Sequence, residues 1–173
     1  MELKYDPNGL IPAICQDAES GEVLMVAWMN AEALAATQRT GQAHFWSRSR
    51  RELWRKGETS GAVQELLKVD ADCDRDALRF TVRQQGPGFC HRDTWTCWGP
   101  DRSLASLERR LRSRLPEAPD GSYTARLAAE PAMLASKLNE EAGELAAARG
   151  REEVVWEAAD LLYFTLARLA VEG

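Results

Sequence analysis

The chain has 173 residues, of which 45% are hydrophobic, and its formal net charge is −5. This length suits one domain or two small ones, and the acidic balance disfavours a nucleic-acid partner. No apolar run reaches the ~18 residues of a membrane span, and the first residues lack a signal-peptide core, so we expect a cytoplasmic protein without a membrane partner.

The first part of the chain predicts short strands around one helix. Asn30 is a good N-cap and Gly41 a good C-cap, so a helix is expected between them. Apolar runs and alternating patterns predict strands at residues 21–29, 43–48, 66–72 and 77–83. We therefore predict an α+β N-terminal domain with a twisted, mostly antiparallel sheet.

Residues 46–61 concentrate cations, hydroxyls, glycines and tryptophan. Arginine forks and glycine amides suit phosphates, and an indole ring suits a purine. The same composition is compatible with RNA binding or with an ordinary solvated hairpin. The substrate-binding candidates are Trp46, Arg48, Arg50, Lys56, Thr59 and Ser60.

Three aspartates, Asp72, Asp74 and Asp76, alternate with Cys73 and Arg75. In an extended segment the aspartates would share one face, and Cys73 would point from the other, where a partner subunit could lie. Clustered carboxylates favour magnesium. The alternative is a solvated, aspartate-rich turn.

Cys73, Cys90 and Cys97 could hold zinc, which soft sulfur ligands select. Three protein ligands leave a fourth position open, as in catalytic zinc sites. Pro87 and Gly88 place the last two cysteines in a loop. Free thiols or one disulfide are the alternatives, and Cys15 has the apolar neighbours of a core residue.

The composition changes near residue 102, where the sequence becomes rich in Ala, Leu, Glu and Arg. We predict domains at 1–102 and 103–173. The second is expected to be all-α, with Ser103 capping a helix whose Leu104, Leu107, Leu111 and Leu115 form one stripe. A loop containing Pro116, Pro119 and Gly121 should follow, then helices at about 131–149 and 152–171, hinged at Gly150. So short a helical domain has a thin core, and a homodimer is expected.

The two long helices carry acidic side chains at helical spacing. Glu144 precedes Gly150 and Glu157 follows it by similar numbers of residues, so an antiparallel hairpin places both roughly 10 Å from the turn. Such carboxylates would repel unless a cation such as magnesium lay between them. A solvated helix face is the alternative. The metal candidates are Glu140, Glu141, Glu144, Glu157 and Asp160.

Together these motifs resemble the bifunctional histidine-biosynthesis enzymes, phosphoribosyl-AMP cyclohydrolase fused to phosphoribosyl-ATP pyrophosphohydrolase. The first part is similar to the cyclohydrolase, and the second to the all-α nucleotide pyrophosphohydrolases. The matching segments are 16–18, 24–30, 44–50, 54–61, 72–76, 90–91 with Cys97, 121–124, 137–141, Glu144 and 156–163.

The resemblance implies zinc held by three cysteines, with Cys73 supplied across the homodimer, and magnesium at the three aspartates and at the helical carboxylates. It also implies substrate contacts by Lys137. His91 is our candidate for proton transfer, because it follows Cys90, and His44 is the second candidate. Phe164 departs from many bacterial relatives, which have histidine after Leu-Leu-Tyr, and we interpret it as a subfamily difference.

The implied reactions are magnesium-dependent hydrolysis of phosphoribosyl-ATP to phosphoribosyl-AMP and pyrophosphate, then zinc-dependent opening of the N1–C6 bond of the adenine ring. One alternative is a cyclohydrolase whose helical part is only a dimerisation scaffold. Another is a general nucleotide pyrophosphohydrolase.

Overall fold

The structure, a computed structural model, describes residues 2–85, 90–92, 94–115, 117–119 and 121–172. Pro87, Gly88 and Pro116 lie outside the described residues. The chain divides into two units, Met1–Asp101 and Arg102–Gly173. Across the described ranges, none of the helices has the length and apolar character needed to span a bilayer.

The first unit is a six-stranded sheet with the strand order β4-β3-β2-β1-β6-β5. Neighbouring strands are antiparallel except for β1 and β6, which are parallel. The predicted α+β class and mostly antiparallel sheet are confirmed, while β1 and β4 fall outside the predicted strands. The strands are β1 (Ile11–Asp17), β2 (Val23–Met29), β3 (His44–Ser47), β4 (Glu52–Arg55), β5 (Gln64–Ala71) and β6 (Leu78–Gln84).

The core of this unit lies on one face of β1 and β6. Every second residue of β1 is buried, including Cys15, and every second residue of β6 is buried, including Phe80. Burial raises the pKa of the Cys15 thiol far above its usual range, because the charged thiolate is disfavoured away from water. The prediction that Cys15 is a core residue is confirmed.

The helix of the first unit, α1 (Ala31–Thr40), begins and ends where its caps predict. Asn30 Oδ1 accepts a hydrogen bond from the Ala33 N–H at 2.8 Å, which satisfies one of the free amides of the first turn. Gly41 has a φ of 68°, the left-handed conformation that glycine adopts without strain.

The segment between β5 and β6 is a turn, which is the alternative left open for residues 72–76, and the extended arrangement considered for them does not form. Asp72 Oδ1 accepts hydrogen bonds from the N–H groups of Asp76 at 3.0 Å and Ala77 at 3.1 Å. Arg75 has a φ of 67°. Short aspartate side chains favour turns because they bond to nearby backbone amides, and this preference overrides the alternating pattern.

The second unit is all-α, as predicted. Ser103 and Ser122 cap α2 and α3, accepting hydrogen bonds from Ser106 N–H at 3.1 Å and Ala125 N–H at 3.2 Å. α3 occupies part of the predicted loop, and its Ser122 cap was the sequence signal for it. The helices are α2 (Leu104–Arg114), α3 (Tyr123–Ala129), α4 (Pro131–Ala147) and α5 (Gly150–Glu172).

The core of the second unit is small, as its length predicts. Its buried members are Leu111, Leu127, Leu134, Phe164 and Ala167. The predicted leucine stripe on α2 is only partly buried, since Leu104 is exposed. Gly150, with a φ of 79°, lies where the chain reverses between α4 and α5, so these two helices form the predicted hairpin.

Candidate metal and substrate sites

The turn between β5 and β6 gathers three carboxylates. One oxygen from each of Asp72, Asp74 and Asp76 lies within 4.8 Å of the other two. Hydrogen bonds, first of all from the Ala77 N–H, lower the pKa of Asp72, whereas the charge of Asp74 raises the pKa of Asp76. All three side chains are exposed, and this donor set suits a hard cation such as magnesium.

Cys90 and Cys97 form a second cluster, in which the two thiols lie close enough for each to influence the pKa of the other. The N–H of Cys97 donates to Leu24 O at 2.9 Å, which ties its segment to β2. A hydrogen bond from the Arg92 backbone lowers the pKa of Cys90, while burial and the neighbouring Cys90 raise the pKa of Cys97. Cys90 is therefore the first of the pair to become a thiolate, the form that binds metals.

Cys73 lies apart from this pair. It is exposed in the turn between β5 and β6, beside Asp74. Within the described ranges, no three-ligand cluster joins it to Cys90 and Cys97. Two sulfur donors from one chain leave a tetrahedral zinc site incomplete, so the donor set fits zinc only if another ligand comes from elsewhere.

The two histidines differ in their surroundings. His91 is exposed, and its Nδ1 lies 3.8 Å from Cys90 Sγ. His44 is partly buried, and its Nδ1 lies 2.7 Å from Gln42 O. A carbonyl can only accept, so the Nδ1 of His44 carries a proton in this contact. Only His91 has a direct contact with a candidate zinc ligand.

Part of the basic segment lines a groove of about 430 Å³. Its polar lining includes Arg50, Lys56, Thr59 and Ser60. Arg50 also forms an ion pair with Glu52 at 3.0 Å. The groove offers hydroxyl and cationic donors on one surface, which is the chemistry that recognises phosphate.

Two other candidates from this segment lie outside the groove lining. The guanidinium carbon of Arg48 lies 4.8 Å from the centre of the Trp28 ring. Trp46 is partly buried and pairs with Trp28 across β2 and β3. Of the six substrate-binding candidates in this segment, four therefore line the groove and two lie beside Trp28.

Lys56 lies close enough to the cysteine pair to interact electrostatically with both sulfur atoms. Burial lowers the pKa of its ammonium, and the charges of Cys97 and Cys90 partly oppose this effect. The N–H of Lys56 donates to Ala43 O at 2.9 Å, which fixes the backbone beside β3. This link between the basic segment and the cysteines was not predicted, because it depends on tertiary packing.

The helical hairpin brings acidic side chains of α4 and α5 together. Oxygens of Glu141, Glu157 and Asp160 lie within 4.8 Å of one another. Burial, then the charges of Glu144 and Asp160, raise the pKa of Glu157, because the carboxylates repel one another. Glu140, Glu141 and Glu144 form an overlapping cluster. Both clusters share Glu141, which is only 5% exposed.

Lys137 lies beside these carboxylates on α4. Its Nζ is 2.9 Å from Glu140 Oε1 and 2.9 Å from Glu141 Oε1. The same ammonium lies 5.4 Å from the centre of the Phe164 ring. The sequence contained a signal for the ion pairs, since Lys137 precedes the two glutamates by three and four residues, but it contained none for the contact with Phe164.

Two family models match the chain, and they divide it between them. The model described as phosphoribosyl-AMP cyclohydrolase matches residues 25–99. The model described as phosphoribosyl-ATP pyrophosphohydrolase matches residues 104–173. The first match contains the aspartate turn and the cysteine pair, and the second contains both glutamate clusters.

Relatives resemble the chain over its whole length. A histidine biosynthesis bifunctional protein of Aquifex aeolicus is 39% identical over 100% of this chain and 92% of its own length. That of Bacillus subtilis is 42% identical over 97% and 87% of the two chains. A histidine biosynthesis trifunctional protein of Saccharomyces bayanus is 46% identical over 99% of this chain, which spans only 22% of that relative.

Proposed function

Because this chain belongs to the family of bifunctional histidine-biosynthesis proteins, we propose that it hydrolyses phosphoribosyl-ATP and then opens the adenine ring of phosphoribosyl-AMP. The helical unit performs the first reaction and the sheet unit the second. The observation that carries this proposal is that each unit has its own cluster of metal-ligand side chains. The free cysteines support a reducing, cytoplasmic setting.

In the helical unit, Glu141, Glu157 and Asp160 would hold magnesium, with Glu140 and Glu144 beside them. Magnesium bound there supplies a positive centre for phosphate oxygens and for a water nucleophile. The oxygen of that water bonds to the α-phosphorus, and the bond to the leaving pyrophosphate breaks. A carboxylate of this cluster that is not bound to the metal would take the proton that the water releases.

In the sheet unit, Cys90 and Cys97 would hold zinc together with Cys73 of the partner subunit. Zinc held by these residues would supply Lewis-acid activation of the attacking water. Water adds at C6 of the N1-ribosylated adenine, and the N1–C6 bond breaks. His91, in contact with Cys90, carries the proton to the leaving nitrogen, and His44 remains the second candidate.

Arg50, Lys56, Thr59 and Ser60 hold phosphate or ribose groups of phosphoribosyl-AMP in the groove that they line. Magnesium at Asp72, Asp74 and Asp76 adds positive charge to the sheet unit, where an anionic substrate benefits from it. Arg48 and Trp46 would contribute to substrate binding from outside this groove. Arg48 lies over the Trp28 ring, and Trp46 pairs with Trp28 across β2 and β3.

The working form is a homodimer. The separation of Cys73 from the other two sulfur atoms supports ligands shared between subunits. Exposed apolar side chains on α5 support association of the helical unit as well, because a thin core gains stability from burying them. They are Val154, Val155, Trp156, Leu162 and Leu169.

The decisive experiment supplies purified protein with phosphoribosyl-ATP, Mg²⁺ and trace Zn²⁺, and follows pyrophosphate release and ring opening separately. Both signals are expected. Ring opening only from added phosphoribosyl-AMP would make the helical unit a scaffold, and pyrophosphate release from ordinary dNTPs alone would make it a general pyrophosphohydrolase. Neither signal with both metals present would refute the proposal.

A further inference from the structure

Lys137 already provides a positive charge at the carboxylates of α4. Its ammonium bonds Glu140 and Glu141 at 2.9 Å each, and these hydrogen bonds, that to Glu141 first, raise its pKa. Glu141 also belongs to the cluster with Glu157 and Asp160. One side chain therefore serves both the lysine and the candidate magnesium site.

A divalent cation at Glu141 would compete with this ammonium. Both would draw on carboxylates of the same small cluster, and two positive charges at neighbouring oxygens repel each other. Glu141 is nearly buried, so solvent screens this repulsion less than it would at an open surface. Binding of the metal ion is thus expected to drive Lys137 away from Glu141.

Phe164 offers the displaced Lys137 ammonium a second interaction. The Phe164 ring lies 5.4 Å from Lys137 Nζ, within the range of a cation–π interaction. The ring is itself held in the core, with ring centres of Tyr123 at 6.4 Å and Tyr163 at 5.3 Å. Lys137 can therefore leave Glu141 without leaving the neighbourhood of the site.

We propose that Lys137 is an internal counter-ion of the metal-free carboxylate cluster, which the divalent cation releases to bind a phosphate group of the substrate. This inference rests on the proposed magnesium site of the helical unit. It makes Lys137 a substrate-binding residue whose availability depends on the metal ion. Lys137 can then bind a phosphate group of the substrate only after the metal ion has bound.

Reductive methylation of lysines with formaldehyde, followed residue by residue by mass spectrometry, tests the release. Lys137 should react slowly without Mg²⁺, several-fold faster with Mg²⁺, and slowly again when inorganic pyrophosphate is added with Mg²⁺. Lys68 is the internal control, because its partner Asp70 lies outside the carboxylate clusters. An unchanged Lys137 rate, with Mg²⁺ bound, would overturn the proposal.

Calorimetry on Lys137→Met and Lys137→Arg separates this role from a structural one. Both variants carry Asp74→Asn, which weakens the aspartate cluster of the sheet unit. Lys137→Met should bind Mg²⁺ more tightly but bind pyrophosphate more weakly in its presence, while Lys137→Arg should restore pyrophosphate binding. Weaker binding of both Mg²⁺ and pyrophosphate by Lys137→Met would indicate that Lys137 has a structural role only. Absence of Mg²⁺ binding to Asp74→Asn protein with native Lys137 would instead refute the proposed magnesium site.

Discussion

Gly57 packs directly against the backbone of Ala62. A Cβ atom at Gly57 would lie 2.4 Å from the carbonyl carbon of Ala62 and 2.5 Å from its oxygen, closer than any real contact. The φ of Gly57 is 81°, a conformation that other residues adopt only with strain. This contact fixes the turn that carries Lys56, Thr59 and Ser60.

We expect Gly57→Ala to weaken phosphoribosyl-AMP binding and to destabilise the sheet unit by more than the left-handed conformation alone costs. That cost is about 1–2 kcal/mol for a residue with a Cβ. Gly61→Ala is the matched control, since Gly61 has a φ of 74° but no atom within 4 Å of its added Cβ. Urea unfolding and the KM for ring opening provide the measurements. Equal effects of the two substitutions would show that the Ala62 contact is unimportant.

Mixing two inactive variants tests whether zinc ligands are shared between subunits. Cys73→Ala and Cys97→Ala should each lose ring opening and zinc. In a mixed dimer, one site combines Cys90 and Cys97 of one subunit with Cys73 of the other and is intact. Ring opening should therefore return on mixing and subunit exchange. A mixture that stays inactive, although mass measurements show mixed dimers, would place all three cysteines of each site in one chain.

Glu141→Gln should abolish pyrophosphate release and spare ring opening of added phosphoribosyl-AMP. Glu141 belongs to both glutamate clusters, and loss of metal-based stabilisation is expected to lower kcat by at least about 10²-fold. Glu130→Gln is the control, because Glu130 is exposed, lies outside both glutamate clusters and forms an ion pair with Arg126. Loss of both activities in Glu141→Gln would mean that the substitution damages more than this site.

The raised pKa of Glu157 predicts a pH-dependent stability of the metal-free protein. An acid with a raised pKa in the folded state stabilises the fold while protonated, and this contribution is lost as the pH rises through that pKa. Without Mg²⁺, the contribution of Glu157 to the free energy of unfolding should therefore fall as the pH rises from acid toward neutral, and Mg²⁺ should reverse the fall. The lowered pKa values of Asp6, Asp70 and Asp72 act in the opposite direction, so the contribution of Glu157 is the difference between the native protein and Glu157→Gln. Denaturant titrations at several pH values measure this pH dependence of the free energy of unfolding. Glu157→Gln should flatten the profile, and an unchanged profile would assign the effect to other carboxylates.

Local signals predicted the fold better than they predicted the turn geometry. Asn30 and Gly41 mark α1 because capping depends on neighbouring residues only, and Gly150 marks the hairpin for the same reason. The alternating spacing in residues 72–76 is compatible with an extended segment or with a turn, and the hydrogen bonds accepted by Asp72 close the segment into a turn. Backbone bonding by a short side chain was the stronger preference there.

The candidate sites also contain some features that local sequence signals predict and others that they do not. The glutamate clusters were predictable because helical periodicity and the position of the turn place side chains at equal height. The electrostatic interaction of Lys56 with the cysteines and the contact of Lys137 with Phe164 join residues far apart in sequence. No spacing rule encodes such contacts, since they depend on how strands and helices pack.

The parallel pairing of β1 with β6 bears on how the sheet unit assembles. Ala13 pairs with Leu78, so the first strand cannot complete its pairing until the last strand, β6, has been synthesised. During synthesis, β1 through β4 emerge with one side of β1 unpaired, and unpaired strand edges invite aggregation. Such non-local pairing also slows folding. The hairpin of β5 and β6, which carries the aspartates and Cys73, is thus the element whose docking completes the unit.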